Sequence, residues 1–356
     1  MNILIVGNGA TGVKNDFHFL INNHTGDFLM KLNRSHSVTF VQYSSKYNEN
    51  NDLQNFELET NGIRHVELSG NKSLTTYKIL IALIKNSDMI YIFYPGTLGK
   101  IVGILSILLS KKISLYVRGE HFNKSILDKI ILKRSSFILT VSKFFQKNLN
   151  DYCKNVEVIK PMISINLDDF NERSEITSPI SKFLFVGRVE ENKGIYDLIE
   201  IIKTLNESGR KVCVDIVGGG DAFEKIRDQI IKDNLSYIRL HGLISNKEEL
   251  KHMYNSSDAF LFTSHFEGFP RVLYEAMAAG LPIFTTFVGG IPGLMNDKQN
   301  CIKIPTKDSE RASKIILNAL EDVELMNKIG KNGQHTLKGV LSGAYLEHDQ
   351  LLISKL

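Results

Sequence analysis

Two glutamates in the C-terminal half have the residue type and the spacing of groups that bind a ligand. Glu267 and Glu275 are eight positions apart, and eight helical residues span about 12 Å. Carboxylate pairs that cleave one glycosidic bond lie only roughly 5 to 9.5 Å apart. The spacing therefore favours two separate contacts on a long ligand over an acid and a nucleophile acting on one bond. The alternative is a capping residue followed by a solvated glutamate on a helix.

The residues around these glutamates predict a buried strand followed by a helix. Asp258–Thr263 is apolar and aromatic-rich, as buried strands are. Pro270 suits the first helical position, because its missing N–H would be unpaired there anyway. Gly280 and Pro282 are typical of a helix end.

The start of this helix predicts an anion site. The first backbone N–H groups of a helix have no partner within the helix. The strand before it ends at the edge where open α/β sheets bind ligands, so a phosphate fits between the two glutamates. The N–H groups concerned are those of Arg271, Val272 and Leu273.

The whole stretch resembles the E-x7-E motif of the family 4 retaining glycosyltransferases. The residues that carry the resemblance are Glu267, Gly268, Phe269, Pro270, Glu275, Ala276, Met277, Ala278, Gly280 and Pro282. Enzymes of that family have the GT-B fold, in which two Rossmann-like α/β domains with parallel sheets face each other across a cleft. They use nucleotide-sugar donors. The resemblance covers most of the C-terminal half and, more loosely, the whole chain.

The resemblance implies a role for each polar group of the stretch. Glu267 would bind hydroxyl groups of the donor sugar, together with the backbone N–H groups of Gly268 and Phe269. The N–H groups at the helix start would hold the diphosphate. Glu275 would bind the ribose hydroxyls.

Arg188 and Lys193 follow the predicted strand Phe183–Val186 and resemble the Gly-Arg…Lys-Gly signature of the same family. The resemblance implies that both grip the donor diphosphate, where fixed cations stabilise the charge on the departing group. The Arg188 guanidinium can bind two oxygens at once, whereas Lys193 acts as a point charge. Taken without the resemblance, both are ordinary surface residues. With Glu267 they are the predicted catalytic residues.

Gly7, Gly9 and Gly12 form a G-x-G-x-x-G pattern directly after a predicted N-terminal strand. Such a loop binds a dinucleotide when an acidic residue ends the second strand. The predicted second strand, Ser37–Tyr43, is followed by Ser and Lys instead, which disfavours NAD or FAD. The resemblance implies a loop near the donor diphosphate and the acceptor, where Gly9 and Gly12 allow close approach. A tight strand–helix turn is the alternative.

The acceptor or sugar side is assigned to Arg118, Glu120 and His121, which follow the predicted strand Ile113–Val117. Many relatives have His-Gly here, whereas this chain has Arg118 followed by glycine. Arginine is always charged and suits a phosphate or a carboxylate. Whether Arg118 or His121 takes the place of the family histidine stays open.

Leu243 and Ile244 follow a further predicted strand and, by resemblance, would read the edge of the nucleotide base through their backbone groups. Backbone contacts involve no base-specific side chain. The sequence therefore does not distinguish a UDP-linked from a GDP-linked donor.

Strand and helix patterns alternate along both halves, which predicts an α/β protein with parallel sheets. A chain of 356 residues is long enough for two such domains. We expect an acceptor-side domain at 1–165 and a nucleotide-sugar-binding domain at 181–335. The linker is predicted at 166–180, and a C-terminal helix at 336–356 would cross back to the first domain.

The net charge of +4 is unevenly distributed. Residues 111–160 contain 11 Lys and Arg against 4 Asp and Glu, a composition suited to anionic lipid, a phosphorylated acceptor or nucleic acid. There is no nucleic-acid motif, so nucleic acid is the weakest of the three. We expect a cytoplasmic protein, peripheral on the inner face of the plasma membrane. No Asp-x-Asp metal motif occurs, so the sequence requires neither a metal ion nor a cofactor.

Together with these observations, the resemblance implies a retaining transferase that moves a sugar from a nucleotide-sugar to a hydroxyl group during polysaccharide biosynthesis. The acceptor would be a saccharide or a polyprenyl-diphosphate-linked saccharide. One alternative is a nucleotide-sugar-binding protein without transferase activity. The other, which is weaker, is a dinucleotide-dependent oxidoreductase.

Overall fold

The computed structural model describes residues 1–20, 23–47, 56–68, 73–119, 122, 125–160, 163, 165–171, 173–268, 270–343 and 345–356. The chain divides into two compact units. One comprises Met1–Met162 with Tyr345–Leu356, and the other comprises Ile163–Ala344. Each unit is built on a mainly parallel sheet with helices between the strands, which confirms the predicted α/β class.

The first unit contains a sheet in which the parallel strands have the order β5-β3-β1-β6-β7-β8-β9. Its strands are β1 (Asn2–Lys14), β2 (Phe17–Leu20), β3 (Ser37–Lys46), β4 (Phe56–Glu57), β5 (Arg64–Leu68), β6 (Met89–Tyr94), β7 (Ile113–Val117), β8 (Ser135–Thr140) and β9 (Val156–Val158). Its helices are α1 (Asn23–Asn33), α2 (Leu74–Lys85), α3 (Thr97–Leu108), α4 (Ile126–Lys133) and α5 (Lys143–Leu149). The central strands β6 and β7 are buried along their whole length, as expected for continuous apolar runs.

Residues 7–12 are extended, which corrects the prediction of a glycine loop. They continue β1, and the end of β1 pairs antiparallel with β2, so that Gly12 lies opposite Phe19. Gly9 is exposed and Gly12 is buried in this strand. Their contact with a donor stays a prediction.

The turn between β1 and β2 explains this conformation. Asn15 and Asp16 form the two-residue connection, with left-handed φ values of 50° and 65°. Asn and Asp tolerate such values, which a tight β-hairpin turn of this kind requires. The hairpin occupies the chain as far as Leu20, and the following helix begins at Asn23.

The second unit contains a sheet of order β12-β11-β10-β13-β14-β15, and each neighbouring pair in it is parallel. Its strands are β10 (Lys182–Val186), β11 (Cys213–Val217), β12 (Ile238–Gly242), β13 (Ala259–Phe262), β14 (Ile283–Thr286) and β15 (Ile302–Ile304). Its helices are α6 (Ile195–Glu207), α7 (Phe223–Lys232), α8 (Lys247–Asn255), α9 (Val272–Ala278), α10 (Ser309–Leu320) and α11 (Val323–Leu341).

Two glycines of α11 allow this helix to approach α9 closely. A Cβ atom on Gly330 would lie 2.4 Å from the carbonyl oxygen of Gly280, and one on Gly333 would lie 3.2 Å from the side chain of Met277. Glycine inside a helix costs stability relative to alanine, but here it removes a collision. The close packing fixes α9, which carries Glu275.

The last helix, α12 (His348–Ile353), belongs to the first unit and buries a histidine there. The His348 ring stacks on Phe28 with 4.1 Å between ring centroids. Its Nε2 atom lies 2.7 Å from the Tyr91 hydroxyl. Burial, with a contribution from the positive charge of Arg118, lowers the pKa of His348 to about 3.

The low pKa of His348 predicts a specific loss of stability in acid. The unfolded chain binds a proton at this side chain below its ordinary pKa of about 6.5, whereas the folded protein does not. Unfolding free energy therefore falls as pH decreases from about 6.5 towards the folded pKa, by roughly 1.4 kcal/mol per pH unit from this residue. Urea titrations between about pH 7 and about pH 5 should show a shallower pH dependence for His348→Gln than for wild type.

Burial also lowers the pKa of His65, to about 4, but this residue is common to both proteins and cancels in the comparison. Parallel pH profiles for wild type and His348→Gln would contradict the assignment.

Candidate functional site

The order of the strands in the second unit reverses between β10 and β13, and their carboxyl ends lie side by side. From β10 the chain proceeds to β11 and β12 on one side, and then returns to β13 on the other side. At such a reversal the two following loops diverge to opposite faces, and open α/β sheets bind ligands there. The loops concerned are residues 187–194 after β10 and 263–271 after β13.

An ion pair joins these two loops. The Lys193 Nζ atom lies 2.6 Å from Glu267 Oε1 and 3.3 Å from the carbonyl oxygen of Phe266. The Ser264 hydroxyl donates to the same Oε1 atom at 2.8 Å. Glu267 is only 8% exposed, so its charge is held by these donors with little help from solvent. Two residues predicted to be catalytic are therefore in direct contact.

Backbone contacts hold the two loops together beneath this pair. Gly194 has a left-handed φ of 67°, and a Cβ atom on it would lie 2.0 Å from the carbonyl oxygen of Thr263. The Thr263 hydroxyl donates to the carbonyl oxygen of Gly194 at 2.8 Å. The backbone N–H of His265 donates to the carbonyl oxygen of Asn192 at 3.0 Å. The position after Lys193 must therefore be glycine for the loops to approach.

A third loop, after β14, supports Glu267 from its other side. Gly289 has a left-handed φ of 59°, and a Cβ atom on it would lie 1.8 Å from the carbonyl oxygen of Glu267. The N–H of Gly290 donates to the carbonyl oxygen of Gly268 at 2.9 Å. The backbone of Glu267 is thus fixed before any ligand binds.

Glu275 lies on α9 and has a partner that the sequence did not reveal. The hydroxyl of Tyr254, a buried residue at the end of α8, donates to Glu275 Oε2 at 2.7 Å. Burial raises the pKa of Glu275, against opposing contributions from Tyr254 and the charge of Arg271. Burial and the neighbouring Glu275 raise the pKa of Tyr254 well above its ordinary value, so this hydroxyl stays a donor.

The start of α9 differs from the prediction. The helix begins at Val272, and Pro270 lies before it, so Pro270 is not the first helical residue. The N–H of Leu273 is not free, because it donates to the carbonyl oxygen of Pro270 at 3.4 Å. The N–H of Tyr274 donates to the carbonyl oxygen of Arg271 at 2.9 Å. A turn at Pro270 and Arg271 takes up these N–H groups and delays the helix.

The remaining predicted residues are distributed over both units. Arg188 is 63% exposed in the loop after β10 and pairs with Glu190 at 2.7 Å. Leu243 and Ile244 follow β12, two strands away from β10 at the same edge of the sheet. Arg118 follows β7 in the first unit. Glu120, His121 and Phe269 lie outside the described residues.

A second pair of side chains missed by sequence reasoning supports the same loops. The His265 Nε2 atom forms a hydrogen bond with the carboxylate of Asp197, in the first turn of α6. His265 lies two positions before Glu267, and α6 begins directly after the loop that carries Lys193. In the sequence, the only sign of this pair is that His265 lies next to the motif, because its partner Asp197 is 68 positions away.

Metal ligands and membrane-spanning helices are two further features that bear on function. Within the described part of the chain, no cluster of three or more His, Cys, Asp or Glu side chains is arranged to hold a metal ion. Across the same ranges, every helix is too short or too polar to cross a bilayer.

Comparison with known proteins places this site in context. The family model "Glycosyl transferases group 1" matches residues 168–336, which contain Arg188, Lys193, Glu267 and Glu275. An uncharacterized glycosyltransferase of Methanocaldococcus jannaschii is 27% identical over 74% of this chain and 75% of its own length. The amylovoran biosynthesis glycosyltransferase AmsK of Erwinia amylovora is 25% identical over 64% of this chain, and the match spans 60% of that relative.

Solved structures show the same architecture. The structure of Anabaena HepE in complex with UDP superimposes with a TM-score of 0.71 at 17% identity, and the match covers all of both chains. At this identity the likeness concerns the fold alone, and it confirms the GT-B prediction of two parallel-sheet domains.

The close approach of Gly289 to Glu267 predicts that position 289 does not tolerate a side chain. Gly289→Ala introduces a Cβ atom against the Glu267 carbonyl oxygen and a disfavoured φ, which should lower the unfolding free energy by about 1–3 kcal/mol. Gly219→Ala is the matched control, because nothing lies within 4 Å of its Cβ position. It should change stability by less than about 0.5 kcal/mol. Equal denaturant midpoints for the two variants would contradict the packing described.

Proposed function

We propose that this chain, whose residues 168–336 belong to the glycosyl transferase group 1 family, transfers a sugar from a nucleotide-sugar to a hydroxyl group with retention of the anomeric configuration. The observation that carries the proposal is the Lys193–Glu267 pair at the strand reversal. A buried carboxylate and a cation in direct contact provide, side by side, the groups that a sugar and its diphosphate require.

Glu267 is held in a way that leaves it one oxygen for the donor sugar. Lys193 and Ser264 both bind Oε1. Among the residues that the structure describes, none donates a hydrogen bond to Oε2. In the proposed complex Oε2 accepts hydrogen bonds from sugar hydroxyls, and the side chain needs no rearrangement to do so. The N–H groups of Gly268 and Phe269 are proposed to add contacts.

The diphosphate is proposed to bind between Lys193, Arg188 and the start of α9. Lys193 is only 14% exposed, so a phosphate beside it interacts with a poorly solvated cation. Arg188 exchanges its exposed pairing with Glu190 for two phosphate oxygens. At the start of α9 we propose contacts from the N–H groups of Arg271 and Val272. These cations then stabilise the negative charge that develops on the leaving nucleoside diphosphate.

The nucleotide is proposed to lie along the edge of the sheet towards β12. Glu275, oriented by Tyr254, binds ribose hydroxyls, and the backbone of Leu243 and Ile244 contacts the base. The donor is proposed to be UDP-linked or GDP-linked. The structure of HepE in complex with UDP supports the uridine nucleotide.

The acceptor is proposed to be a saccharide or a polyprenyl-diphosphate-linked saccharide that binds to the first unit. Arg118 suits an anionic group of such an acceptor, and Gly9 and Gly12 remain candidates for donor contacts. The name of the relative AmsK supports polysaccharide biosynthesis as the process. We propose that the reaction needs neither a metal ion nor a cofactor, involves no nucleic acid, and takes place in the cytoplasm at the inner face of the plasma membrane.

One alternative rests on a specific residue. Arg118 stands where many relatives have histidine, which is compatible with a nucleotide-sugar-binding protein that does not transfer. The oxidoreductase alternative loses support, because residues 7–12 form a strand instead of a dinucleotide-binding loop.

Donor turnover tests the proposal and separates it from binding alone. Wild type incubated with UDP- or GDP-linked sugars and lipid-linked saccharides should release nucleoside diphosphate, and NMR should show a product with the anomeric configuration of the donor. Lys193→Gln should lower kcat by about 100-fold or more, the usual cost of removing one group that stabilises developing charge. Lys203→Gln, on the exposed face of α6, is the matched control and should retain wild-type turnover.

Donor binding without product formation over a broad acceptor panel would favour the binding protein. Turnover of Lys193→Gln equal to that of Lys203→Gln would contradict the assigned role of Lys193.

The hydrogen bond from Tyr254 to Glu275 predicts a selective effect on ribose recognition. Tyr254→Phe leaves Glu275 without its orienting donor, so affinity for UDP should fall by about tenfold, the equivalent of one hydrogen bond to a charged group. Affinity for 2′,3′-dideoxyuridine diphosphate, which lacks the hydroxyls that Glu275 would bind, should change less than about twofold. Calorimetric titration of both ligands measures this. An equal loss for both ligands would show that Tyr254 acts only through general stability.

A further inference from the structure

Helix α4 is held rigidly through one face. Asp128 is completely buried and accepts hydrogen bonds from Tyr94 and from the N–H and hydroxyl of Ser125, and it pairs with Lys100 of α3 at 2.9 Å. Ile131 packs against Gly103 of α3, where a Cβ atom would lie 3.1 Å from it. These contacts fix the orientation of the helix, so that its opposite face is exposed to solvent.

That opposite face is apolar in spite of its exposure. Ile126 is 78% exposed, and Leu127 and Ile130 are 49% and 39% exposed. The three lie on one side of the helix, at spacings of one and four. Single exposed apolar residues are ordinary, but a contiguous apolar patch on a surface marks a site of interaction.

The charges around the patch identify the kind of partner. Lys129, Lys133 and Arg134 are exposed on or directly after α4. Asp128, the acidic residue of this helix, is buried and already paired with Lys100. Across 111–150 the sequence contains nine Lys and Arg but two acids, so the surroundings are basic as well. An apolar stripe with lysines beside it is the pattern of a helix that lies in the interface of an anionic bilayer.

We propose that the exposed face of α4 docks on an anionic lipid surface. Ile126, Leu127 and Ile130 insert between headgroups and acyl chains, while Lys129 and Lys133 bind lipid phosphates. This anchor deepens the proposed association with the plasma membrane and would hold the first unit beside a lipid-linked acceptor. It does not depend on donor chemistry, since all of its residues lie in the first unit.

The absence of tryptophan from the chain gives a direct test. Ile126→Trp and Ile231→Trp each introduce a single tryptophan reporter. Ile231, on α7, is the matched control, because it is 72% exposed beside a lysine, while the other apolar residues of that helix pack against the core and leave no exposed apolar stripe. With vesicles of phosphatidylglycerol and phosphatidylcholine, the emission of Ile126→Trp should shift to the blue, and that of Ile231→Trp should not.

Sedimentation with the same vesicles measures the anchor in a second way. Wild type should pellet with them at low ionic strength and stay in solution with pure phosphatidylcholine. The double variant Ile126→Ser/Ile130→Ser should partition about tenfold more weakly than Ile231→Ser. Lys129→Gln/Lys133→Gln should bind more weakly and with a smaller dependence on salt. Because these side chains are exposed, each variant should keep the thermal unfolding midpoint of wild type. An unchanged midpoint would exclude misfolding as the cause of weaker binding.

Three outcomes would overturn the proposal. Wild type could stay in the supernatant with anionic vesicles at low salt, or Ile126→Ser/Ile130→Ser could pellet as well as Ile231→Ser. A wild-type dimer that the double variant dissociates, without vesicle binding, would assign the patch to contact between copies of the chain. UDP binding, measured in the same samples without vesicles, reports separately on the proposed transferase site.

Discussion

The candidate site depends on one constraint of chain topology, the reversal of strand order beside β10. Because β11 and β12 lie on one side of β10 and β13 lies on the other, the loops after β10 and β13 leave neighbouring strand ends. A lysine from one loop therefore meets a glutamate from the other at 2.6 Å, although the two are 74 positions apart in sequence. No local property of either loop would bring them together.

The ion pair at this reversal is costly to bury, which fits the ligand-binding role proposed for it. Burying two charges costs desolvation free energy, which mutual attraction repays only when the geometry is good and the remaining polar groups are bonded. Here Ser264 and the Phe266 carbonyl supply additional bonds. The backbone beneath is fixed by Gly194 and Gly289 at positions where a side chain would collide. Charges fixed in advance need no reorganisation when charge develops on a substrate, which is the property that catalysis exploits.

Much of the fold was accessible from the sequence, because apolar runs and helix signals are local. The bounds of β7 were predicted to the residue, and the E-x7-E and Gly-Arg…Lys-Gly patterns marked the two loops that meet. The hairpin of β1 and β2 was missed, because a glycine pattern at 7–12 reads as a loop while the decisive turn is at Asn15 and Asp16. The Tyr254–Glu275 bond was also missed, since a tyrosine at a helix end reads as core until its long-range partner is known.

Titration calorimetry with UDP, GDP, ADP and NAD, in the presence of EDTA, tests the central claim most directly when wild type is compared with Arg188→Ala. In the proposed complex the loops after β10 and β13 hold a nucleoside diphosphate, so one of the three diphosphates should bind, and Arg188→Ala should weaken that binding by about tenfold or more. Binding of NAD alone, with the same affinity in Arg188→Ala, would contradict the account and move the ligand away from these loops.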